Sequence, residues 1–315
     1  MISKVSSIAV IGQGFVGGSI TTVFAERGFD VYIYDKSGKV APGGLQTTPE
    51  IYQGKTITNV YDLVIGCEQV KNFSGIYFVC LPTPMNADGS ADLSIVEGVL
   101  DELASIPGDR IAVVKSTIPP GSVTNWNKKY SSTGLRVIFN PEFLTEANAL
   151  DDMRNQNRII LGGPRPHINK VKQLFQNAFP KIPIIKTSST NAECVKYFTN
   201  IQLAVRVILS CEFKQTCDAL DENGYDVDYD KILEYARYDS RLGNSHMNVP
   251  GNDGIPGARG HCFPKDLNAF IDVSKKNNVK PLVMEAAWAK NLELVPSEHR
   301  DWEKMVGRAI SEKKK

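Results

Sequence analysis

No apolar stretch of the 315-residue chain approaches the ~20 residues needed to cross a bilayer. No signal peptide is read at the start: the early apolar run "SSIAVIGQGFVGGSI" is interrupted by glycines and lacks a basic leader. The six cysteines, at 67, 80, 194, 211, 217 and 262, form no C-x-x-C pair and no metal-like spacing with histidine. A disulfide framework and a metal centre are therefore not expected, and the thiols read as those of a reduced, cytosolic protein. An excess of one charge is missing too. A net charge of +1 gives no reason to invoke nucleic acid or an anionic membrane as partner. No internal repeat is present, and the terminal EKKK run reads as a solvated end.

What is there is too long for one ordinary core and divides in two. Up to about residue 188, β-branched runs at 7–12, 31–35, 76–82, 110–117, 136–140, 158–163 and 182–185 alternate with helical patterns. Such alternation predicts an α/β fold, a Rossmann-like, doubly wound and mostly parallel sheet spanning 1–188. After Ser189 a run of ~30 residues contains no proline and carries apolar residues at 195, 198, 201, 205, 208/209 and 213. It stops at Asn223-Gly224, a helix-ending pair, and predicts one long helix that bridges domains or forms a dimer seam. Further helical patterns near 228–238, 266–276 and 281–294 make 189–315 an all-α domain. Between them "DSRLGNSHMNVPGNDGIPGARGHC" is too long for a mere connector and reads as a functional loop.

Gly12, Gly14 and Gly17 stand directly after the first strand, at the mouth of a helix. The first permits a tight turn, the second lets the backbone approach a pyrophosphate, and the third lets helix and strand pack closely. Asp35 closes the next strand 18 residues after Gly17. A carboxylate there accepts from a ribose 2′-hydroxyl and repels a 2′-phosphate, favouring NAD over NADP, a preference that Lys36 softens. A glycine-rich turn without a ligand is the plain alternative.

Lys196 and Asn200 are four apart on the long helix and share a face. Together they can hold an alkoxide or oxyanion, or they are a solvated lysine beside a polar residue. Glu142 and Glu146, also four apart, follow a strand; each is a general base or a surface carboxylate. In "GARGHCFPKD", residues 257–266, Cys262 is a nucleophile, a redox thiol or one more small apolar residue. Gly257 and Gly260 supply backbone amides, Pro264 fixes the chain, and a helix beginning near Asp266 would favour the thiolate. A thiolate beside a nicotinamide traps an aldehyde as a thiohemiacetal, which a second hydride transfer converts to a thioester. The other five cysteines read as packing residues.

Taken in order, "IGQGFVG" (11–17), "LPTP" (81–84), "DGSADLS" (88–94), "KSTIPPG" (115–121), "NPEFLTE" (140–146), "AECVKYFTN" (192–200), "DSRLGN" (239–244) and "CFPKD" (262–266) form a pattern. It resembles the UDP-glucose/GDP-mannose dehydrogenase family, most closely its UDP-glucose 6-dehydrogenase members. The resemblance implies a four-electron oxidation of a nucleotide sugar's C6 alcohol to the carboxylate with two NAD, UDP-glucose to UDP-glucuronate being the first choice. By the same resemblance Cys262 is the nucleophile, and Lys196 and Asn200 hold the oxyanion and the substrate hydroxyl. Asp266 supports the lysine and a water, and Glu142 with Thr117 assists thioester hydrolysis. Thr83, Thr117, Glu146 and Lys265 fall where the family touches NAD, beside Gly12, Gly14, Phe15, Val16, Gly17 and Asp35 of the first loop. Glu142, Phe143, Leu144, Lys196, Asn200, Arg241, Gly257 and Arg259 fall on the substrate. Arg241 matches an arginine that reaches the neighbouring subunit's substrate, which implies a homodimer through the long helix.

Two departures stand out. Family members usually continue into a second Rossmann-like domain that helps enclose UDP, whereas this sequence ends soon after the central helices. The family's Gly-Phe-Gly-Gly-x-Cys is here "GARGHC", with Ala258 for the aromatic residue and Arg259 for a glycine. Arg259 is expected to contact the diphosphate, or else to point to solvent. Two other readings stay open: a two-electron hydroxy-acid dehydrogenase using Lys196, which needs no thiol, and a truncated, non-catalytic NAD-binding homologue.

Overall fold

The structure is a computed structural model describing residues 7–251 and 253–312, so Lys313–Lys315 of the terminal charge run lie outside the described residues. The strands are β1 (Ser7–Ile11), β2 (Asp30–Tyr34), β3 (Gly44–Leu45), β4 (Phe73–Val79), β5 (Arg110–Val114), β6 (Leu135–Phe139), β7 (Ile159–Gly162) and β8 (Ile184–Thr187). They form one sheet in the order β3-β2-β1-β4-β5-β6-β7-β8. Neighbours are parallel except β6 and β7, which run antiparallel. Each β-branched run of the sequence is a strand. The two-residue β3 was not expected, because a pair of residues carries no alternation to read.

Burial explains the composition of the strands. In β1, "SIAVI", and β5, "RIAVV", every residue is buried, as a parallel sheet covered on both faces requires. The covering helices are α1 (Phe15–Glu26), α2 (Val60–Glu68), α3 (Ser94–Ser105), α4 (Ser122–Lys129), α5 (Ala149–Arg154) and α6 (His167–Ala178). One apolar layer joins Ala9, Ile11, Tyr77 and Val79 to Leu63, Leu100 and Trp126. The other joins Ile8, Val10 and Phe78 to Phe24, Phe175 and Phe179. Phe24 alone packs on Phe78, Phe175 and Phe179 at centroid distances of 5.6, 5.8 and 5.9 Å. Burying a ring this fully is worth about 1.5–3 kcal/mol.

Five strands end on the residues that matter below. Gly12, Asp35, Cys80, Lys115 and Asn140 each follow directly on β1, β2, β4, β5 and β6. From β1 the chain goes to β2 on one side and later returns to β4 on the other. In an open α/β sheet, that reversal places the ligand crevice outside the carboxyl ends of the strands.

The helices that follow are α7 (Ser189–Glu222), α8 (Tyr229–Ala236), α9 (Phe263–Lys276), α10 (Leu282–Leu294) and α11 (Asp301–Lys304). The 34-residue α7 ends where the sequence puts its stop: Gly224 takes φ +86° and donates to Asp221 O at 2.9 Å. The secondary structure changes character at Ser189, but packing divides the chain inside α7, after Lys196. The physical reason is local: Ala192 and Val195, in the first turns of α7, belong to an apolar layer of the sheet. The second packing unit has its own core of Ala204, Ile208, Cys211, Leu294, Val295 and Trp302. It also takes in 84–92, a segment the sequence assigned to the first domain. Met85 exchanges backbone bonds with Ala309 and Ser311 at 2.7 and 2.8 Å, and Ser311 Oγ donates to Asp92 at 2.7 Å. Among the described residues no helix is long and apolar enough to cross a membrane.

Candidate active site

The glycine loop is built by exclusion. Gly12 takes φ +90°, and a Cβ there would run into the Cys80 carbonyl; a Cβ on Gly17 would run into the Gly12 carbonyl. Gly14 is different. It is the N-cap of α1, in extended conformation, with no side-chain cap, no acidic residue in the first turn, and nothing within 4 Å of an added Cβ. Phe15, Val16 and Gly17 open the helix behind it. Asp35 faces the same loop, accepting from Gln13 N at 2.6 Å and from Ser37 N and Oγ at 2.8 and 2.6 Å. Burial pushes its carboxyl upward, but the Ser37 bonds and the Gln13 N–H outweigh that and hold it below the ordinary carboxylate range. Thr83 and Thr117 are both buried, and Thr83 Oγ1 donates to Thr117 O at 2.7 Å.

Beyond β5 and β6 lies a buried charged cluster. Lys196 Nζ donates both to Glu142 Oε1, at 2.7 Å, and to Glu142 O, at 2.8 Å. Glu142 Oε2 accepts from Leu144 N at 2.7 Å. Burial raises the Glu142 carboxyl, yet the Lys196 charge and hydrogen bond, the Leu144 N–H and the more distant charge of Lys115 bring it below its ordinary value. Lys115, itself buried, donates to the neutral Asn140 Oδ1 at 2.8 Å. Desolvation dominates its titration and takes it down to about 8. Phe143 carries Arg158 on its ring at 4.2 Å. Glu142 and Glu146 part company: the first is buried, whereas Glu146 is exposed at the start of a 3-10 turn.

In the second unit, α9 begins at Phe263, three residues earlier than the sequence indicated, so Cys262 is itself the N-cap. Pro264 sits in the first turn, where its missing N–H costs nothing. Asp266 is buried; its N–H donates to Cys262 O at 2.9 Å and its carboxylate accepts from Asn200 Nδ2 at 2.6 Å and from Lys265 Nζ. The loop before Cys262 is braced on several sides. Asn291 Oδ1 accepts from Ala258 N at 2.7 Å while its Nδ2 donates to Ala258 O at 3.0 Å. Gly257 N donates to the Cys211 thiol at 3.3 Å, and Gly260 N to the Asp301 carboxylate at 3.2 Å. Arg259 does not point to solvent: it donates to Asp253 at 2.7 Å and to His299 O at 3.0 Å, with Asp301 at 3.5 Å. Arg241 is exposed and closes back on Asp239. All six cysteines are thiols. Burial raises those of Cys67, Cys80, Cys194 and Cys211, Cys80 to about 12.

Residues 6–179 match the NAD binding domain of the UDP-glucose/GDP-mannose dehydrogenase family, and residues 190–293 its central domain. The chain belongs to this family. A UDP-glucose 6-dehydrogenase of Haloferax volcanii is 28% identical over 309 residues, covering 89% of this chain and 68% of that protein. A UDP-glucose dehydrogenase structure from Pyrobaculum islandicum is similar with a TM-score of 0.70 at 24% identity, covering 92% of this chain and 68% of that one. A UDP-D-ManNAc dehydrogenase structure from Pyrococcus horikoshii gives the same TM-score and identity, covering 91% and 68%. At such identities the structural likeness shows the fold. The chain spans about two thirds of the length of the relatives it matches.

NAD is the cofactor of this family's first domain, and the residues present fit it. The open space at Gly14 and the uncapped start of α1 suit a pyrophosphate, and the Asp35 carboxylate suits a ribose diol. Sequence reasoning passed over Lys115, Asn140, Asn291 and Gln13. A lysine immediately after the apolar run of a buried strand, as in "IAVVK", was a legible signal for the first. Asn291 lies 33 residues from the backbone it clamps, and nothing in its neighbourhood announces it.

Proposed function

We propose that this member of the UDP-glucose/GDP-mannose dehydrogenase family oxidises the C6 alcohol of a nucleotide sugar to the carboxylate, with UDP-glucose as the favoured substrate. One observation carries the reading: Cys262 caps a helix whose first turn holds Lys265 and Asp266, on a braced loop. A helix start favours an anionic thiolate there. When bound, NAD supplies the hydride acceptor, two equivalents for each carboxylate formed.

In this scheme the Lys196 ammonium holds the oxygen charge that develops as the substrate hydroxyl gives its proton to the water that Asp266 supports and its carbon loses a first hydride, while Asn200, one turn further along α7, donates to the same oxygen. Asp266 fixes Asn200 by the 2.6 Å bond to its amide. The Cys262 thiolate adds to the aldehyde carbon, forming a C–S bond and an oxyanion that Lys196 again compensates. Loss of a second hydride leaves a thioester. Water then attacks the acyl carbon, the C–S bond breaks, and the thiolate is regenerated. Glu142 receives the water's proton: a carboxylate has about four acceptor sites, and Lys196 and Leu144 N use one on each oxygen. Thr117 supports that water.

The assay is incubation of the purified chain with NAD and a panel of UDP- and GDP-sugars, following NADH and acid together. Two NADH per acid is the expected stoichiometry, and Cys262→Ser is expected to abolish the acid. One NADH per substrate, unaltered by Cys262→Ser, would instead mark a two-electron hydroxyl dehydrogenase.

The exposed apolar side chains of α7 lead us to add a homodimer to this reading. Phe198, Leu209 and Phe213 are 67%, 60% and 53% exposed in the single chain, and their spacing of eleven and four residues puts them on one helical face. Arg241, also exposed, is then the residue offered to the neighbouring subunit's substrate. Light scattering is expected to give twice the chain mass, and half of it for Leu209→Glu.

A further inference from the structure

Lys115 is a buried cation that the scheme above does not use. It follows β5 directly, and its ammonium bonds to a neutral amide rather than to a carboxylate. A buried ammonium is costly, and an apolar side chain of the same length would avoid that cost. What the charge holds in place is therefore informative. Asn140, its acceptor, is fixed on two further sides: its N–H donates to Val114 O at 2.9 Å and its Nδ2 to Ile160 O at 2.8 Å. Lys115 completes that set around Asn140, which ties the exits of β5 and β6 to the start of β7. Two residues beyond Asn140 is Glu142, whose carboxylate and carbonyl both bind Lys196.

We propose that Lys115 is a positioning residue for the Glu142–Lys196 pair, anchoring the segment that carries Glu142 and adding a second positive charge that keeps its carboxylate ionised. The proposal rests on the catalytic reading above and extends it. With Lys115 and Lys196 both charged, the cluster holds two cations for one carboxylate and carries an excess positive charge, which is the sign needed where an alkoxide and later a thioester oxyanion form. The titratable groups that face Glu142 are Lys196 from α7, Lys115 after β5 and the Cys80 thiol after β4. Of these, Cys80 stays neutral, because burial raises its thiol to about 12. Removing Lys115 therefore leaves Lys196 as the cation bonded to Glu142, and the Glu142 carboxylate becomes easier to protonate.

The test uses the full chain with Lys115→Gln, which retains a donor for Asn140, and Lys115→Met, which does not. The first measurement needs no turnover: infrared absorption of the protonated carboxyl is followed with pH, and Glu142→Gln identifies the band. Both variants are expected to shift that titration to higher pH, because a positive charge that lowers the Glu142 carboxyl is lost. The second measurement is kcat against pH. Its acid limb is expected to move the same way, with kcat lowered roughly tenfold at the optimum and KM for the nucleotide sugar little changed. Folded variants whose Glu142 band titrates as in the parent chain overturn the proposal, whatever their turnover. A band that shifts in a chain inactive on every sugar of the panel supports the role of Lys115 and counts against the substrate reading alone.

Discussion

Replacing Lys115 by methionine should make the protein more stable at neutral pH than at alkaline pH, relative to the parent chain. Burial takes this lysine down to about 8, whereas an unfolded lysine titrates near 10.4. Below pH 8 the folded and unfolded chains both carry the proton, and the full cost of burying it is present. Between 8 and about 10.4 the unfolded chain binds a proton that the fold does not, so stability rises with pH; above that range the cost is gone. The difference between the two values corresponds to roughly 3 kcal/mol. Against it stands the hydrogen bond to Asn140, whose buried oxygen would be orphaned by methionine at a cost of about 1–3 kcal/mol at any pH. The variant is therefore expected to match or exceed the parent at pH 7, by up to about 2 kcal/mol, and to fall below it near pH 10.5. Urea melts of both proteins at several pH values read this directly, because other lysines and tyrosines cancel in the difference. A stability difference that keeps one sign and stays constant within about 1 kcal/mol over that range would refute the reasoning.

Asn291→Ala leaves both the N–H and the C=O of Ala258 without their partner, and should cost about 2–4 kcal/mol in urea melts while changing the rate at which Cys262 is alkylated. A loss under about 1 kcal/mol with unchanged alkylation would mean the clamp is unimportant. Gly14→Ala and Gly17→Ala should separate binding from folding. The first meets no protein atom and should keep the melting temperature while weakening NAD in a fluorescence titration; the second strikes the Gly12 carbonyl and should lower both. Asp35→Asn should narrow the preference for NAD over NADP, measured as the ratio of their dissociation constants, because the repulsion of a 2′-phosphate is lost.

The sheet was legible because parallel strands buried on both faces are written as continuous β-branched runs. "RIAVV" and "SIAVI" have no plausible place except the interior of such a sheet. The long helix was legible from period and from its Asn-Gly stop. What escaped were relations between segments. Nothing local says that residues 84–92 leave their neighbours to pair with residues near 310, since the pairing is made by three hydrogen bonds between Met85 or Asp92 and a distant stretch of chain. The start of α9 was misplaced for a reason of rule rather than distance: proline was treated as a boundary, whereas in a first helical turn it is tolerated. For Arg259, composition offered a phosphate ligand or a solvated cation, and the structure gives a third outcome. Asp253, Asp301 and the His299 carbonyl make it a tie between the cysteine loop and the segment after α10.

That reassignment bears on the chemistry. Removing one hydride from an alcohol needs an acceptor for the proton and groups that steady the oxygen, and on the proposed mechanism Lys196 with Asn200 supplies the second. Nothing in that pair retains an aldehyde, which would diffuse away or hydrate. A thiol held at a fixed point changes the outcome, because the C–S bond keeps the carbon in place for the second oxidation. The retention is useful only if the thiol cannot drift, and a cysteine on a Gly-rich loop starts with every disadvantage in that respect. In this chain the loop is held at Gly257 by Cys211, at Ala258 by Asn291, at Arg259 by Asp253 and at Gly260 by Asp301, four successive residues before the capping turn. An arginine that left this set to bind a diphosphate would loosen the loop that the covalent step depends on. On the proposed mechanism, Arg259 therefore serves Cys262 rather than the nucleotide.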